Sequence, residues 1–295
     1  MEEKTINNKK LIIFSDVDGT IYKNFNLLKE TIEDVRFINE NNGDFNICTG
    51  NPCFDRMNWL SNELQAKYVL GSSGSQIYDV VNEKIIYSEH IDKKILKDII
   101  DIASKHQFQI LFWDNEQYFY LLDKDWNDSL FTYHFKNEEI RKTFPKKYNN
   151  ESINPVKIEI YPYDHDNEEQ LQEINKLIDN INGVSKTLTN CNIEILPNNL
   201  DKASAVVWMM NNVYNNDETK IDEIMTIGDG YNDITMLKLT QYSYAMANAY
   251  NEVLKTAKYY TSSVEQNGLG EAILDYAYRL KHLYKKYMLH NIKEK

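Results

Sequence analysis

The chain has 295 residues, with 33 lysines and arginines against 45 acidic residues and a formal net charge of -12. That length builds a substantial core, as one large domain or two ordinary ones, and the charge repels nucleic-acid phosphates and anionic membranes, so no nucleic acid and no membrane is expected as a partner. The three cysteines, Cys48, Cys53 and Cys191, are odd in number and lack a CxxC spacing, which predicts thiols in a cytoplasmic protein and argues against a zinc site.

Residues 1–10 are charged and polar, and the apolar run behind them ends at Phe14. It is too short for a signal-peptide core or a membrane span. That run with Ser15, 11–15, reads as a strand of a parallel sheet, whose burial on both faces makes it a hydrophobic run. Leu28, Ile32, Val35 and Ile38 recur at helical spacing and 45–49 reads as the next strand, which makes a βαβ unit. A helix through Met57, Trp59, Leu60 and Leu64 follows, then a strand at 68–70 and the punctuation Gly71-Ser72-Ser73-Gly74. Residues 75–79 and 84–87 read as a hairpin around Asn82.

From about residue 88 to about 192 the pattern changes. A helix carries Ile91, Ile95, Ile99 and Ile102, strands are expected at 108–113, 118–122 and 156–161, and a helix through Leu171, Ile174, Leu177, Ile178 and Ile181 is closed by Gly183. The stretch 123–154 has no clear period beyond a helix near Leu130. After Leu196-Pro197 the alternation returns, with a helix at 202–212, strands at 224–227 and 242–246, and a final helix over 269–287. The expected class is α/β: a parallel-sheet core from 1–87 and 193–295, with an α+β cap, 88–192, inserted into it.

Asp16 and Asp18 leave the end of the first strand, where open α/β sheets bind ligands, and Gly19 lets the backbone break so that both approach one cation. Thr49-Gly50 follows the second strand, Lys202 opens a helix, and Gly228-Asp229-Gly230-Tyr231-Asn232-Asp233 follows another strand. Singly, each reads as a turn former, a cap or a solvated charge. Together they supply what phosphoryl transfer needs: an oxygen nucleophile, cations for the equatorial oxygens and a proton source for the leaving oxygen. Magnesium takes oxygen ligands with one or two carboxylates, which Asp16, Asp229 and the Asp18 carbonyl can provide. Lys202 adds a second positive charge, and the Thr49 hydroxyl with the Gly50 amide hydrogen-bonds the phosphoryl oxygens. A calcium EF-hand is rejected, because the glycine comes too early and Leu27 holds the place of the terminal glutamate. Trp113, Tyr118, Tyr120 and Tyr161, on expected strands of the insertion, fit core packing better than sugar stacking.

The order and spacing of Phe14-Ser15-Asp16-Val17-Asp18-Gly19-Thr20, Cys48-Thr49-Gly50, Asp201-Lys202, the 228–233 string, Ala245-Met246-Ala247-Asn248-Ala249 and Asn267-Gly268-Leu269-Gly270 closely resemble the haloacid dehalogenase superfamily. Within it they resemble the Cof-type sugar-phosphate phosphatases. The resemblance implies a Rossmann-like core with the cap between the Thr49 and Lys202 motifs. It implies Asp16 as nucleophile, forming an aspartyl-phosphate, and Asp18 as acid and base; phosphate binding by Thr49, Gly50, Lys202 and Asn232; and a Mg2+ site drawn from Asp16, Asp18, Asp229 and Asp233. Asn51, Ser73 and Ala247 depart from common arginine, asparagine and glycine, so no substrate contact is carried over to Asn51. The expected activity is magnesium-dependent hydrolysis of a small phosphorylated metabolite, a sugar phosphate foremost. A sugar phosphomutase and a non-catalytic metabolite-binding protein are the alternatives, and the oligomeric state stays open.

Overall fold

The structure is a computed structural model, described over residues 9–106, 108–121, 143–163, 167–189 and 191–280. In chain order β1 (Leu11–Ser15), α1 (Lys29–Glu40), β2 (Gly43–Cys48), α2 (Arg56–Leu64) and β3 (Tyr68–Gly71) come first. The hairpin β4 (Gln76–Asp79) and β5 (Lys84–Ser88) leads to α3 (Lys93–His106), β6 (Gln109–Trp113), β7 (Tyr118–Leu121), β8 (Lys146–Lys147) and β9 (Lys157–Tyr161). Then come α4 (Glu168–Ile178), β10 (Val184–Leu188) and β11 (Ile193–Pro197). The last leg is α5 (Lys202–Asn212), β12 (Met225–Gly228), α6 (Ile234–Leu237), β13 (Tyr242–Met246), α7 (Asn251–Thr256), β14 (Tyr259–Thr261) and α8 (Gly268–Leu280). Among the described residues no helix is long and apolar enough to cross a membrane.

The chain divides into two compact units: Met1–Thr49 with Ser61–Val69 and Lys202–Lys295, and Gly50–Leu60 with Leu70–Asp201. In the first, the strands run in the order β14-β13-β12-β1-β2-β3, and the pairings from β14 through β2 are parallel. β1 is central, and Ile12, Ile13 and Phe14 are fully buried, which stabilises the fold by about 1.5–3 kcal/mol per side chain. The register sets Ser15 opposite both Ile227 of β12 and Ile47 of β2. The residues that follow these strands, Asp16, Thr49 and Asp229, therefore emerge along one edge of the sheet. Helices supply the covering layers: α1 buries Thr31, Val35 and Ile38, and α8 buries Leu269, Ala272, Ile273, Tyr276 and Leu280 at helical spacing.

In the second unit β4 and β5 form an antiparallel hairpin, and six strands make a sheet of order β10-β11-β9-β6-β7-β8. Strand alternation sorts its two faces. Ile110, Phe112, Ile158 and Ile160 pack with Leu96 and Ile99 of α3 and Leu171 and Ile174 of α4, while Leu111, Trp113, Tyr118 and Tyr161 form a separate buried cluster.

α5 and β13 have the bounds their sequence periodicity predicts, whereas α4 stops at Ile178 with Asp179 as its cap, short of Ile181. Asn180 and Asn182 follow, and asparagine side chains compete for backbone hydrogen bonds outside helices. β8, β10, β11, α6, α7 and β14 were not anticipated. The helix expected near Leu130, Leu122 and residues 281–287 of the last helix lie outside the described residues.

Candidate active site

Asp16 follows β1 directly, and its N–H donates to the Ile227 carbonyl at 3.0 Å, extending the parallel ladder by one residue and fixing where the side chain leaves the sheet. The chain then turns. Thr20 and Ile21 donate to the Val17 carbonyl and Gly19 to that of Tyr22. Gly19 has φ +87°, and a Cβ there would lie 2.2 Å from Asp229 Oδ2, so both the turn and the approach of the 229 carboxylate require glycine.

Lys202, the first residue of α5, has no solvent exposure; its Nζ lies 2.5 Å from Asp16 Oδ1 and 2.6 Å from Asp233 Oδ1. The other oxygen of Asp233 accepts the N–H groups of Asp229 at 3.0 Å and Gly230 at 2.9 Å. Asp233 thus folds the turn after β12 and delivers one oxygen to the lysine. Asp229 accepts from the Thr20 hydroxyl at 3.5 Å and from the Asn248 amide at 3.1 Å. Carboxylate oxygens of Asp16, Asp229 and Asp233 all lie within 4.8 Å of one another.

Burial first, then the charge of Asp233, pushes the Asp16 carboxyl well above its usual range, against the pull of Lys202. The same two causes, with Asp18 adding to them, push Asp229 up to about 7. Burial alone would lower Lys202, but Asp16 and Asp233 outweigh it, so the ammonium is held charged well above its ordinary value. Fully ionised, three carboxylates beside one ammonium, 3 − 1, carry two negative charges, which is why the protein alone favours their protonation. One divalent cation balances them, and a donor set of oxygens alone suits a hard ion such as Mg2+. The residues fit that ion.

The structure brings together Asp16, Lys202, Asp229 and Asp233. Asp18 is exposed in the turn after β1, outside the group of three carboxylates, though near enough for its charge to raise Asp229. Thr49 is buried one residue beyond β2, on the same sheet edge by register. Asn232 is half-buried in the short turn Tyr231–Asp233. Gly50 belongs to the second unit, where its carbonyl accepts from Lys157 at 3.2 Å. Asn248 was given no role from the sequence: its side-chain Nδ2 donates to both the Gly19 carbonyl at 2.9 Å and Asp229 at 3.1 Å, and its Oδ1 accepts the Val264 N–H at 3.1 Å. The string Ala245-Met246-Ala247-Asn248-Ala249 marks the position in the sequence, but the partners of its side chain lie 229, 19 and 16 residues away and are set by the fold.

This chain belongs to the haloacid dehalogenase-like hydrolases, whose family model matches residues 13–273. A putative phosphatase of Mycoplasma pneumoniae is 25% identical over 296 residues, covering 90% of this chain and 97% of that protein. The 5-amino-6-(5-phospho-D-ribitylamino)uracil phosphatase YcsE of Bacillus subtilis is 24% identical, covering 89% of this chain and 94% of its own length. Among solved structures, the HAD subclass IIB sugar phosphatase BT4131 superposes with a TM-score of 0.75 at 17% identity, over 91% of this chain and 99% of that one. The α/β fold with its parallel sheet is shared with it.

Proposed function

We propose that the protein is a magnesium-dependent phosphatase of small phosphorylated metabolites, sugar phosphates foremost, acting in the cytoplasm through an aspartyl-phosphate on Asp16. The observation that carries this reading is the Lys202 ammonium set between Asp16 and Asp233, with Asp229 beside them. The ammonium opposes the rise of the Asp16 carboxyl and orients it for attack. An Asp16 oxygen bonds to phosphorus as the ester oxygen leaves, taking its proton from Asp18; Asp18 then accepts a proton from the water that cleaves the acyl phosphate, restoring Asp16. Thr49, the Gly50 amide, Lys202 and Asn232 hold the phosphoryl oxygens. Asp16, Asp229 and Asp233, with Asp18, are the candidates to hold Mg2+, which when bound neutralises charge on the phosphoryl oxygens. The inserted segment 88–192 selects the leaving group in this reading. The phosphatase names of the two relatives and the sugar phosphatase among the solved structures support it.

Phosphate release from a panel of phosphorylated metabolites, with magnesium or with a chelator, tests the proposal. Release should require magnesium and vanish in Asp16→Asn. An Asp16→Asn enzyme that turns over at the wild-type rate would eliminate the nucleophile.

A further inference from the structure

Within the second unit a lysine with no solvent exposure sits on β9. Strand alternation sends Ile158 and Ile160 into the apolar cluster beneath α3 and α4, and Lys157 to the opposite face, 5.4 Å from the Trp113 ring centre. Its three N–H groups have three acceptors: Glu159 Oε1 and Glu194 Oε1, each at 2.8 Å, and the Gly50 carbonyl at 3.2 Å. The carboxylates are engaged at their other oxygens as well, Glu159 by the Tyr161 hydroxyl at 2.5 Å and Glu194 by the Ser73 hydroxyl at 3.2 Å. Burial alone would lower Lys157, yet the two carboxylates outweigh it and keep it charged.

The residues after Gly50 are held from the same unit. The Asn51 carbonyl accepts the Ser72 N–H at 2.6 Å, the Asn51 side chain accepts from Arg56, and the Cys53 N–H donates to Gln76 at 3.3 Å. Ser72 and Ser73 take φ of 51° and 53°, a left-handed conformation that serine adopts only where its surroundings impose it. Trp113 Nε1 donates to Ser72 Oγ at 2.8 Å and Ser72 Oγ to Gln76 at 2.6 Å, so the surroundings here are specific.

A buried ion cluster is weak evidence for stability, since apolar side chains of similar volume often serve as well. What apolar side chains cannot do is hold a backbone carbonyl in place. We propose that Lys157 is a positioning residue: through its bond to the Gly50 carbonyl it fixes the peptide that follows Thr49, and so the turn that binds the phosphoryl group. The proposal rests on the phosphatase reading for its kinetic consequence, not for the tie itself. It also gives Asn51 and Ser73, where the chain departs from the family pattern, a place in the device that holds this turn.

The triple variant Lys157→Met/Glu159→Gln/Glu194→Gln removes the tie without stranding a buried carboxylate. Hydrogen exchange of the backbone amides over 46–54 should accelerate at least about tenfold while amides of β1 and α5 stay protected. With p-nitrophenyl phosphate, kcat should fall about ten- to a hundredfold, with the half-saturating magnesium concentration unchanged. A folded triple variant with wild-type exchange and wild-type kcat would overturn the proposal. Should the triple variant not fold, Lys157→Arg decides: it keeps the charge but moves the donor, so a lower kcat at unchanged magnesium dependence supports the tie and an unchanged kcat overturns it. A wild-type protein that releases phosphate from no ester sinks the phosphatase reading instead, and the exchange measurement alone then decides the role of Lys157.

Discussion

Replacing Asp229 by asparagine should make the metal-free protein more stable, by an amount that depends on pH. Burial and the neighbouring Asp233 hold this carboxyl at about 7, against 3.8 for an ordinary aspartate. Between those values the folded state binds a proton that the unfolded chain has lost, so stability falls as pH rises and the loss is complete above about 7. At about 1.4 kcal/mol per pH unit the full loss is about 4 kcal/mol, and less than half of it is reached by pH 5. Asparagine cannot ionise, yet keeps an oxygen to accept from Thr20 or Asn248. With chelator present, thermal melts should place Asp229→Asn above wild type by about 8–16 °C at pH 8, at about 2–4 °C per kcal/mol, and by less than half of that at pH 5. Millimolar magnesium should narrow the gap at pH 8, because the ion relieves the repulsion in the wild type alone. An Asp229→Asn protein that melts at or below the wild type at pH 8 without metal would refute the electrostatic reasoning.

Lys202→Met strands Asp16 and Asp233 without their buried partner, and removing one member of such a pair costs about 3–5 kcal/mol; urea denaturation should register that loss, and unchanged stability would count against the ion pairs. Gly19→Ala forces a left-handed alanine, at about 1–2 kcal/mol, and drives a methyl into Asp229; titration should then show half-saturating magnesium raised at least about tenfold, and an unaltered titration speaks against the close approach. Asn248→Ala removes one side chain that ties Gly19 to Asp229. Its magnesium requirement should rise several-fold with little change in melting temperature, and an unchanged requirement would mean that this tie does not position the ligand.

How much was legible in the sequence depended on how local the physics is. β1 has the expected bounds 11–15, because a strand covered on both faces advertises itself as near-unbroken hydrophobicity, here Leu11 to Phe14 with Ser15 behind them. The bounds of α5 were as expected, and the apolar residues it buries, Ala205, Val206, Met209 and Met210, recur at helical spacing. β10 was not, because Val184–Leu188 sets three polar residues between two apolar ones and so shows neither an apolar run nor strand alternation. Asp16, Lys202, Asp229 and Asp233 could be listed from strand ends and helix starts, but that Lys202 pairs with Asp16 and Asp233 is set by packing across separations of 186 and 31 residues. Lys157 was less legible still. In sequence it is one lysine in an apolar strand, and only the fold brings Glu194 and the Gly50 carbonyl to its ammonium.

The nucleophile is the central claim. Enzyme turning over a phosphate ester in magnesium, quenched in acid and reduced with tritiated borohydride, reports any acyl phosphate as labelled homoserine at the residue that carried it. The label is predicted at position 16, and to disappear when the ester is omitted. Phosphate release accompanied by label at another carboxylate, or by none, would contradict the account.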